Sequence, residues 1–309
     1  MHLSDFEAQD FNLIRSLAEQ TISVPVTDIQ RLPGSMSYNY KINRKHILKL
    51  PNEYTNQEDW LRYAQCAPVL QNHFTFQIPM LQLKTIYTPD KETLLASFYP
   101  EIKGDCIMNN EFLAKDRRYK QTFFEQLSDA AAQIHAVSPK ELPLELPTKI
   151  DYLEVCFFKN FKGDDYFPKK LFRKLLHNSF FGFGESGLRT SLLIHTDLHP
   201  GNILLDDKNK LIAILDFDMM VRGDRFLEFR PNLYTDPQDI DLFHKIYQRR
   251  TGIKVDSNEV SQQEITKYSL SWFYSLCKLY QFLPTSVRDR KMEYKFEKKM
   301  FQKDLSQCI

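Results

Sequence analysis

Between Leu192 and Asp218 the chain reads Leu-Leu-Ile-His-Thr-Asp-Leu-His-Pro-Gly-Asn-Ile-Leu-Leu-Asp-Asp-Lys-Asn-Lys-Leu-Ile-Ala-Ile-Leu-Asp-Phe-Asp. Two apolar runs, Ile203 to Leu205 and Leu211 to Leu215, flank the polar turn Asp206 to Lys210, which is the pattern of a β-hairpin. His195, Asp197 and Asn202 precede it, and Asp216 and Asp218 follow it. A hairpin brings its open ends together, so Asn202 and Asp216, 14 positions apart, are expected to converge. An amide oxygen and a carboxylate are hard donors that suit Mg²⁺. Asp197, five residues before Asn202, sits where it can accept a proton from a substrate hydroxyl. A base for an acceptor together with cation ligands that neutralise developing charge is what phosphoryl transfer requires.

The elements around this stretch follow from periodicity. Asp5 to Gln20 places Phe6, Leu13, Ile14 and Leu17 on one helical face. Tyr38 to Ile42 and His46 to Leu50 read as strands, split by Asn43-Arg44-Lys45. A helix is expected from Glu58 to about Cys66, with Pro68 just beyond, and further strands at Ile78 to Leu83 and Thr93 to Tyr99. Pro100 to Gly104 punctuates the chain as a boundary. Beyond it Phe123, Phe124, Leu127, Ala131 and Ile134 form an apolar helical stripe ended by Ser138-Pro139, and residues 151–183 read as amphipathic helices dense in Phe and Lys.

Composition bounds the class. With 309 residues, 42% hydrophobic and 13% aromatic, the chain can fill a large core, which excludes a disordered or linker-like protein. A net charge of +1 excludes a strongly basic nucleic-acid or membrane footprint. The five cysteines, Cys66, Cys106, Cys156, Cys277 and Cys308, are odd in number and widely spaced, as expected of buried thiols in a reducing compartment. No apolar run reaches a membrane-spanning length, and the acidic N-terminal segment lacks a signal-peptide core. A cytoplasmic protein is expected, with no nucleic-acid or membrane partner. Only nine glycines argue against a Gly-rich loop as the main phosphate-holding device.

His-Thr-Asp-Leu-His-Pro-Gly-Asn-Ile-Leu, then Ile-Leu-Asp-Phe-Asp, then Arg222-Gly223-Asp224, resembles the aminoglycoside phosphotransferase and choline kinase-like superfamily. Its first part also matches the kinase catalytic-loop pattern. The resemblance implies an α+β, two-lobed, protein-kinase-like fold: a small antiparallel-sheet nucleotide-binding lobe over 1–98, a hinge at 99–104, and a larger, mainly helical catalytic and substrate-binding lobe over 105–309. It implies ATP, or GTP, with Mg²⁺, and a small-molecule hydroxyl acceptor. By it Asp197 is the catalytic base, His195 braces the loop, Asn202 and Asp216 are metal ligands, and Asp218 is a secondary metal candidate. His199 is read as a loop-packing residue.

On the nucleotide side, Pro33-Gly34-Ser35-Met36-Ser37 resembles the family's phosphate-facing turn, with Gly34, Ser35 and Ser37 as candidate contacts; an ordinary hairpin turn is the alternative. Lys49, between Leu48 and Leu50, is either a lysine on the solvent face of its strand or the lysine that holds the α- and β-phosphates. The family's partner glutamate would fall at Tyr63, where this chain has none, so Glu58 or Asp59 stands as the candidate counter-ion. Tyr99 and Glu101 lie in the stretch Ser97 to Lys103, where main-chain groups would meet the purine.

Further features of the sequence narrow the function. Gly182 to Gly187 fits G-x-G-x-x-G, but a helix-like run precedes it and a strand follows, the reverse of a dinucleotide site, so it reads as a turn. Residues 219–233 contain no Ser, Thr or Tyr, which excludes a phosphorylation-ordered activation loop there. The acid Glu228 follows Asp224 at the family's spacing, with Arg225 in place of its proline. Residues 231–285 carry six acids and six bases, not the carboxylate surplus a polycationic aminoglycoside needs. Trp272, Phe273 and Tyr274 suit a helix core or a sugar or quaternary-ammonium pocket. The expected activity is a small-molecule kinase acting on a hydroxyl of a metabolite or antibiotic, such as a sugar, amino alcohol or aminoglycoside-like acceptor. A reading from another class is a nucleotide-binding pseudokinase that acts as an interaction module.

Overall fold

The computed structural model describes residues 11–34, 37–52, 55–88, 91, 93–147, 192–223, 225, 228 and 237–254. The expectations for Phe6, Ser35, residues 151–183, the glycine cluster at 182–187, and Trp272 to Tyr274 lie outside them. The described residues belong to one compact unit that joins the chain up to 149 with 188–255.

Helix α1 (Phe11–Ile22) is followed by strands β1 (Ile29–Leu32), β2 (Ser37–Ile42) and β3 (His46–Pro51), helix α2 (Gln57–Gln71), and strands β4 (Gln82–Tyr87) and β5 (Thr93–Pro100). The five strands form one antiparallel sheet in the order β1-β2-β3-β5-β4. Alternation decides what each face does. Tyr40, Ile42, Leu48, Leu50, Leu94 and Ala96 pack on Ile14, Leu17 and Ala18 of α1. Lys49 lies directly opposite Ser97 in register, so the two share the other face, with Ile47 and Tyr99 beside them. That face is covered as well, since Lys49 is only 7% exposed, which removes the solvent-face reading of this lysine. In the three-residue connection between β2 and β3, Asn43 and Arg44 take φ of 51° and 55° and the Lys45 N–H donates to the Ile42 carbonyl at 3.0 Å, the left-handed pair of a turn matched to strand twist.

Two boundaries differ from the sequence pattern. Helix α2 runs through Pro68 to Gln71, because Ala67 and Leu70 are buried and the packing of that last turn outweighs the missing N–H. The strand expected at Ile78 to Leu83 starts only at Gln82. Pro79 cannot donate to a ladder, so Ile78 to Leu81 runs without strand pairing, with Ile78, Pro79 and Leu81 buried and Met80 exposed.

After β5 come β6 (Asp105–Cys106), α3 (Asn109–Leu113), α4 (Arg117–Ala136), β7 (Leu192–Ile194), β8 (Ile203–Leu205), β9 (Leu211–Ile214), β10 (Val221–Gly223) and α5 (Pro237–Thr251). The hairpin foreseen from the apolar runs is β8–β9, with Ile203 opposite Ile214, and β6 adds to its edge. Strand β10 pairs with β7, so the chain leaving the hairpin returns alongside the chain that enters it. Asp116 caps α4 through a 2.8 Å bond from the Tyr119 N–H. Helix α4 buries Phe123, Phe124, Leu127, Ala131 and Ile134, the whole stripe expected of it, and packs on α5 through Phe124 and Phe243. A Lys120–Asp239 ion pair at 2.8 Å ties the same two helices. Among the described residues no helix is long and apolar enough to cross a membrane.

Candidate active site

The hairpin closes as its apolar pattern requires, and this carries Asn202 and Asp216 to one end. The Leu215 N–H donates to the Asn202 carbonyl at 2.8 Å, so Asn202 sits across from the residue adjoining Asp216. The Asn202 amide nitrogen donates to Asp197 twice, to the backbone oxygen at 3.0 Å and to carboxylate Oδ2 at 3.1 Å. This orients the amide and turns its oxygen away from Asp197.

His195 is fully buried and bridges both arms of the loop. Its Nδ1 accepts from the Asp197 N–H at 3.2 Å, so Nε2 carries the proton and donates to the Leu215 carbonyl at 2.7 Å. Phe217 meets the imidazole edge-on with centroids 4.5 Å apart. His199 accepts the Gly201 N–H on Nδ1, which caps the turn Pro200–Asn202, and its Nε2 lies 3.5 Å from Asp197 Oδ2. The loop-packing expectation for His199 therefore describes one of its two nitrogens.

Two residues here take left-handed backbone: Thr196 at φ 77° and Asp216 at φ 59°. For a β-branched residue such as Thr this conformation costs about 1–3 kcal/mol, and such strain collects at functional sites. The restraint that holds it comes from Glu228. This buried carboxylate accepts the backbone N–H of His195 and, at 3.1 Å, that of Thr196. The Thr196 hydroxyl also donates to the Met219 carbonyl at 3.3 Å.

Lys49 reaches this end from the sheet. Its Nζ is 2.8 Å from Asp216 Oδ1 and 3.2 Å from Asp218 Oδ2. Burial alone would depress the ammonium, but the two carboxylates outweigh it and hold its pKa above the ordinary lysine value. Burial pushes the Asp216 carboxyl up, and Lys49 more than reverses this, so its pKa lies below the usual carboxylate range. Burial raises the Tyr99 phenol despite the nearby Lys49 charge.

The structure does not bring Glu58 to Lys49. Glu58 is exposed in the first turn of α2, and Asp59, one residue on, is buried against Arg62 at 2.7 Å. At the position where a helix glutamate would stand, the Tyr63 hydroxyl donates to the Pro79 carbonyl at 2.6 Å and its ring stacks on Phe217. Helix α2 reaches the site instead through Trp60, whose indole N–H donates to Asp218 Oδ2 at 3.0 Å. The pattern reading missed Trp60. Its only signal is that residues three apart share a helix face, so Trp60 had to face where Tyr63 faces.

The remaining candidates lie at the start of β2 and at the end of β5. Ser37 opens β2, and its hydroxyl donates to Asn39 Oδ1 at 2.8 Å, while Asn39 Nδ2 donates to the Pro33 carbonyl at 3.2 Å. Gly34 closes this turn: a Cβ there would meet Asn39 Nδ2 at 2.1 Å. Tyr99 is buried on the Lys49 face. Glu101 donates its N–H to the Lys45 carbonyl at 2.8 Å, and its carboxylate pairs with Lys41 at 2.6 Å and with Lys103. Although burial opposes it, Lys103 and Lys41 together hold that carboxyl below its usual range.

A family model described as the phosphotransferase enzyme family matches residues 28–238, which spans both the Lys49 sheet and the Asp197 loop. The chain belongs to that family. This phosphotransferase shares its fold with solved structures of low sequence identity. One is the GDP and kanamycin complex of the aminoglycoside phosphotransferase APH(2")-IIIa, with a TM-score of 0.63 at 17% identity over 95% of this chain and 98% of that one. A second is the apoenzyme of the macrolide 2'-phosphotransferase MphH from Brachybacterium faecium, with a TM-score of 0.59 at 15% identity over 87% and 93%. A third is spectinomycin phosphotransferase with ADP and spectinomycin, with a TM-score of 0.56 at 17% identity over 95% of each chain. No protein of curated function matches in sequence.

Proposed function

We propose that this phosphotransferase is a small-molecule kinase that moves the γ-phosphoryl group of ATP or GTP to a hydroxyl of a metabolite or antibiotic, such as a sugar, amino alcohol or aminoglycoside-like acceptor. The observation that carries the reading is the meeting of Lys49 with Asp216 across 167 residues, at the same end of the hairpin as Asp197 and Asn202. On this reading residues 1–98 bind the nucleotide, 99–104 form the hinge, and 105–309 hold the catalytic loop and the acceptor.

Asp197 is the base. The acceptor hydroxyl lies against its carboxylate, and as the oxygen bonds to the γ-phosphorus its proton passes to Asp197. The bond to the bridging oxygen breaks and the nucleoside diphosphate leaves. Asn202 fixes the carboxylate from one side, so the base needs little reordering when substrate arrives. Lys49 neutralises the α- and β-phosphates, with Gly34, Ser35 and Ser37 at the phosphate-facing turn and the chain around Tyr99 and Glu101 facing the purine.

Asn202 and Asp216 fit Mg²⁺. The Asn202 amide oxygen is turned away from Asp197, and the Asp216 side chain is 46% exposed beside the buried lysine. When bound, the ion would offset charge on the transferring phosphoryl group.

The test compares wild type with Asp197→Ala across a panel of sugars, amino alcohols and aminoglycosides, with both ATP and GTP. The expected outcome is Mg²⁺-dependent transfer to at least one acceptor, lost by about 10²–10⁴-fold in the variant while nucleotide binding persists. Nucleotide binding with equal turnover in both proteins would leave the pseudokinase reading standing.

A further inference from the structure

We propose that Asp218, gripped by the indole N–H of Trp60, is the positioning residue for Lys49 and replaces the helix glutamate on which other kinases rely. The inference rests on the nucleotide-binding role proposed for Lys49 and names what holds that lysine in place.

In protein kinases, the strand lysine must be paired with a glutamate from the following helix before it can engage the phosphates. Helix α2 supplies no such carboxylate here. Tyr63 holds the expected position, Glu58 is exposed, and Asp59 is closed by Arg62. The helix nevertheless reaches the lysine's partner. An indole is a donor only and cannot pair with an ammonium, so it needs an acceptor between them. Asp218 Oδ2 is that acceptor, taking the Trp60 N–H at 3.0 Å and the Lys49 Nζ at 3.2 Å on the same oxygen. The carboxylate has moved from the helix to the turn after β9, and the helix keeps its hold through an N–H.

The two aspartates flanking Phe217 are thereby given different tasks. The Asp216 side chain is 46% exposed and that of Asp218 only 15%. The open one faces an arriving cation, and the closed one stays with Lys49 when Asp216 turns away. On this assignment Asp218 is not a metal ligand. Its neighbours suit the closed role: Trp60 and Phe217 are buried, and Phe217 stacks between Tyr63 and Phe74.

The test uses the full chain in a Trp272→Phe background, so that Trp60 gives the only indole N–H resonance. Without nucleotide, Asp218→Asn is expected to shift that resonance upfield, because the acceptor loses its charge, while Asp216→Asn leaves it in place. A resonance unmoved by Asp218→Asn overturns the proposal, and this arm reads out whether or not the protein transfers phosphate. With nucleotide, Asp218→Asn and Trp60→Phe are each expected to raise the nucleotide KM and lower kcat, by about 10- to 100-fold for the first and less for the second, at an unchanged Mg²⁺ requirement. Adding Tyr63→Glu to Asp218→Asn should recover part of that loss by restoring a helix carboxylate. A half-saturating Mg²⁺ concentration about tenfold higher in Asp218→Asn, with Trp60→Phe like wild type, would make Asp218 a metal ligand and sink the assignment. A wild type that neither binds nucleotide nor transfers phosphate would count against the kinase reading, and the resonance would still decide the Asp218–Trp60 contact.

Discussion

Two of the buried charge clusters among the described residues differ in how they are closed. Between α4 and α5, Lys120 meets Asp239 one to one, with side chains 12% and 8% exposed. At the candidate active site Lys49 faces two carboxylates, one of them half open to solvent. The scaffold pair is electrically complete, and its task is to join two helices. The Lys49 cluster has one negative charge more than the lysine can balance, on the side that opens outward. An excess of that kind is suited to receiving a cation and, through it, phosphates. The same residue types thus serve attachment in one place and reception in the other, and exposure and stoichiometry tell them apart.

Breaking the closed pair should produce the largest stability change. Lys120→Met leaves Asp239 buried without its cation and is expected to lower unfolding free energy by about 3–5 kcal/mol. The double variant Lys120→Met with Asp239→Leu should recover most of that. Chemical denaturation of the three proteins measures it, and a single variant as stable as wild type would remove the contrast.

A pH effect of intermediate size belongs to the same helix pair. His135 on α4 is 8% exposed beside Tyr247 of α5, at 3.1 Å. Burial, aided by the Arg225 charge, lowers its pKa to about 3. The folded protein therefore keeps His135 neutral where the unfolded chain, titrating near 6.5, takes up a proton. Stability from this residue is present above about pH 6.5 and is lost as pH falls towards 3, by about 1.4 kcal/mol per pH unit. Denaturation at pH 7, 6 and 5 should show wild type losing this advantage over His135→Gln as pH drops. Parallel curves would contradict it.

The smallest stability change is expected at the open cluster. Asp216→Asn removes the excess charge and puts a residue tolerant of left-handed backbone where φ is 59°, so stability should move by less than about 1 kcal/mol. Mg²⁺-dependent nucleotide binding should fall sharply in the same protein. A large drop in melting temperature would mean that the cluster is scaffold after all.

Much of this is legible in the sequence. The hairpin that joins Asn202 to the end bearing Asp216 follows from two apolar runs around a polar turn. The alternation in β3 puts Lys49 on the face away from Leu48 and Leu50, and the α4 stripe gives its buried side. Each depends on contacts a few residues apart, which periodicity and turn chemistry encode directly. The partners at long range were decided only by tertiary packing. Nothing local to Glu228 says that it will hold the backbone of His195 and Thr196, 33 and 32 residues earlier. Nothing local to Lys49 chooses Asp216 and Asp218 over Glu58, which lies nearer in the chain but sits on the outer side of α2. The side on which Trp60 and Tyr63 enter the core settles that choice, because burying those rings leaves Glu58 in solvent and brings an indole donor, with no carboxylate, to the lysine.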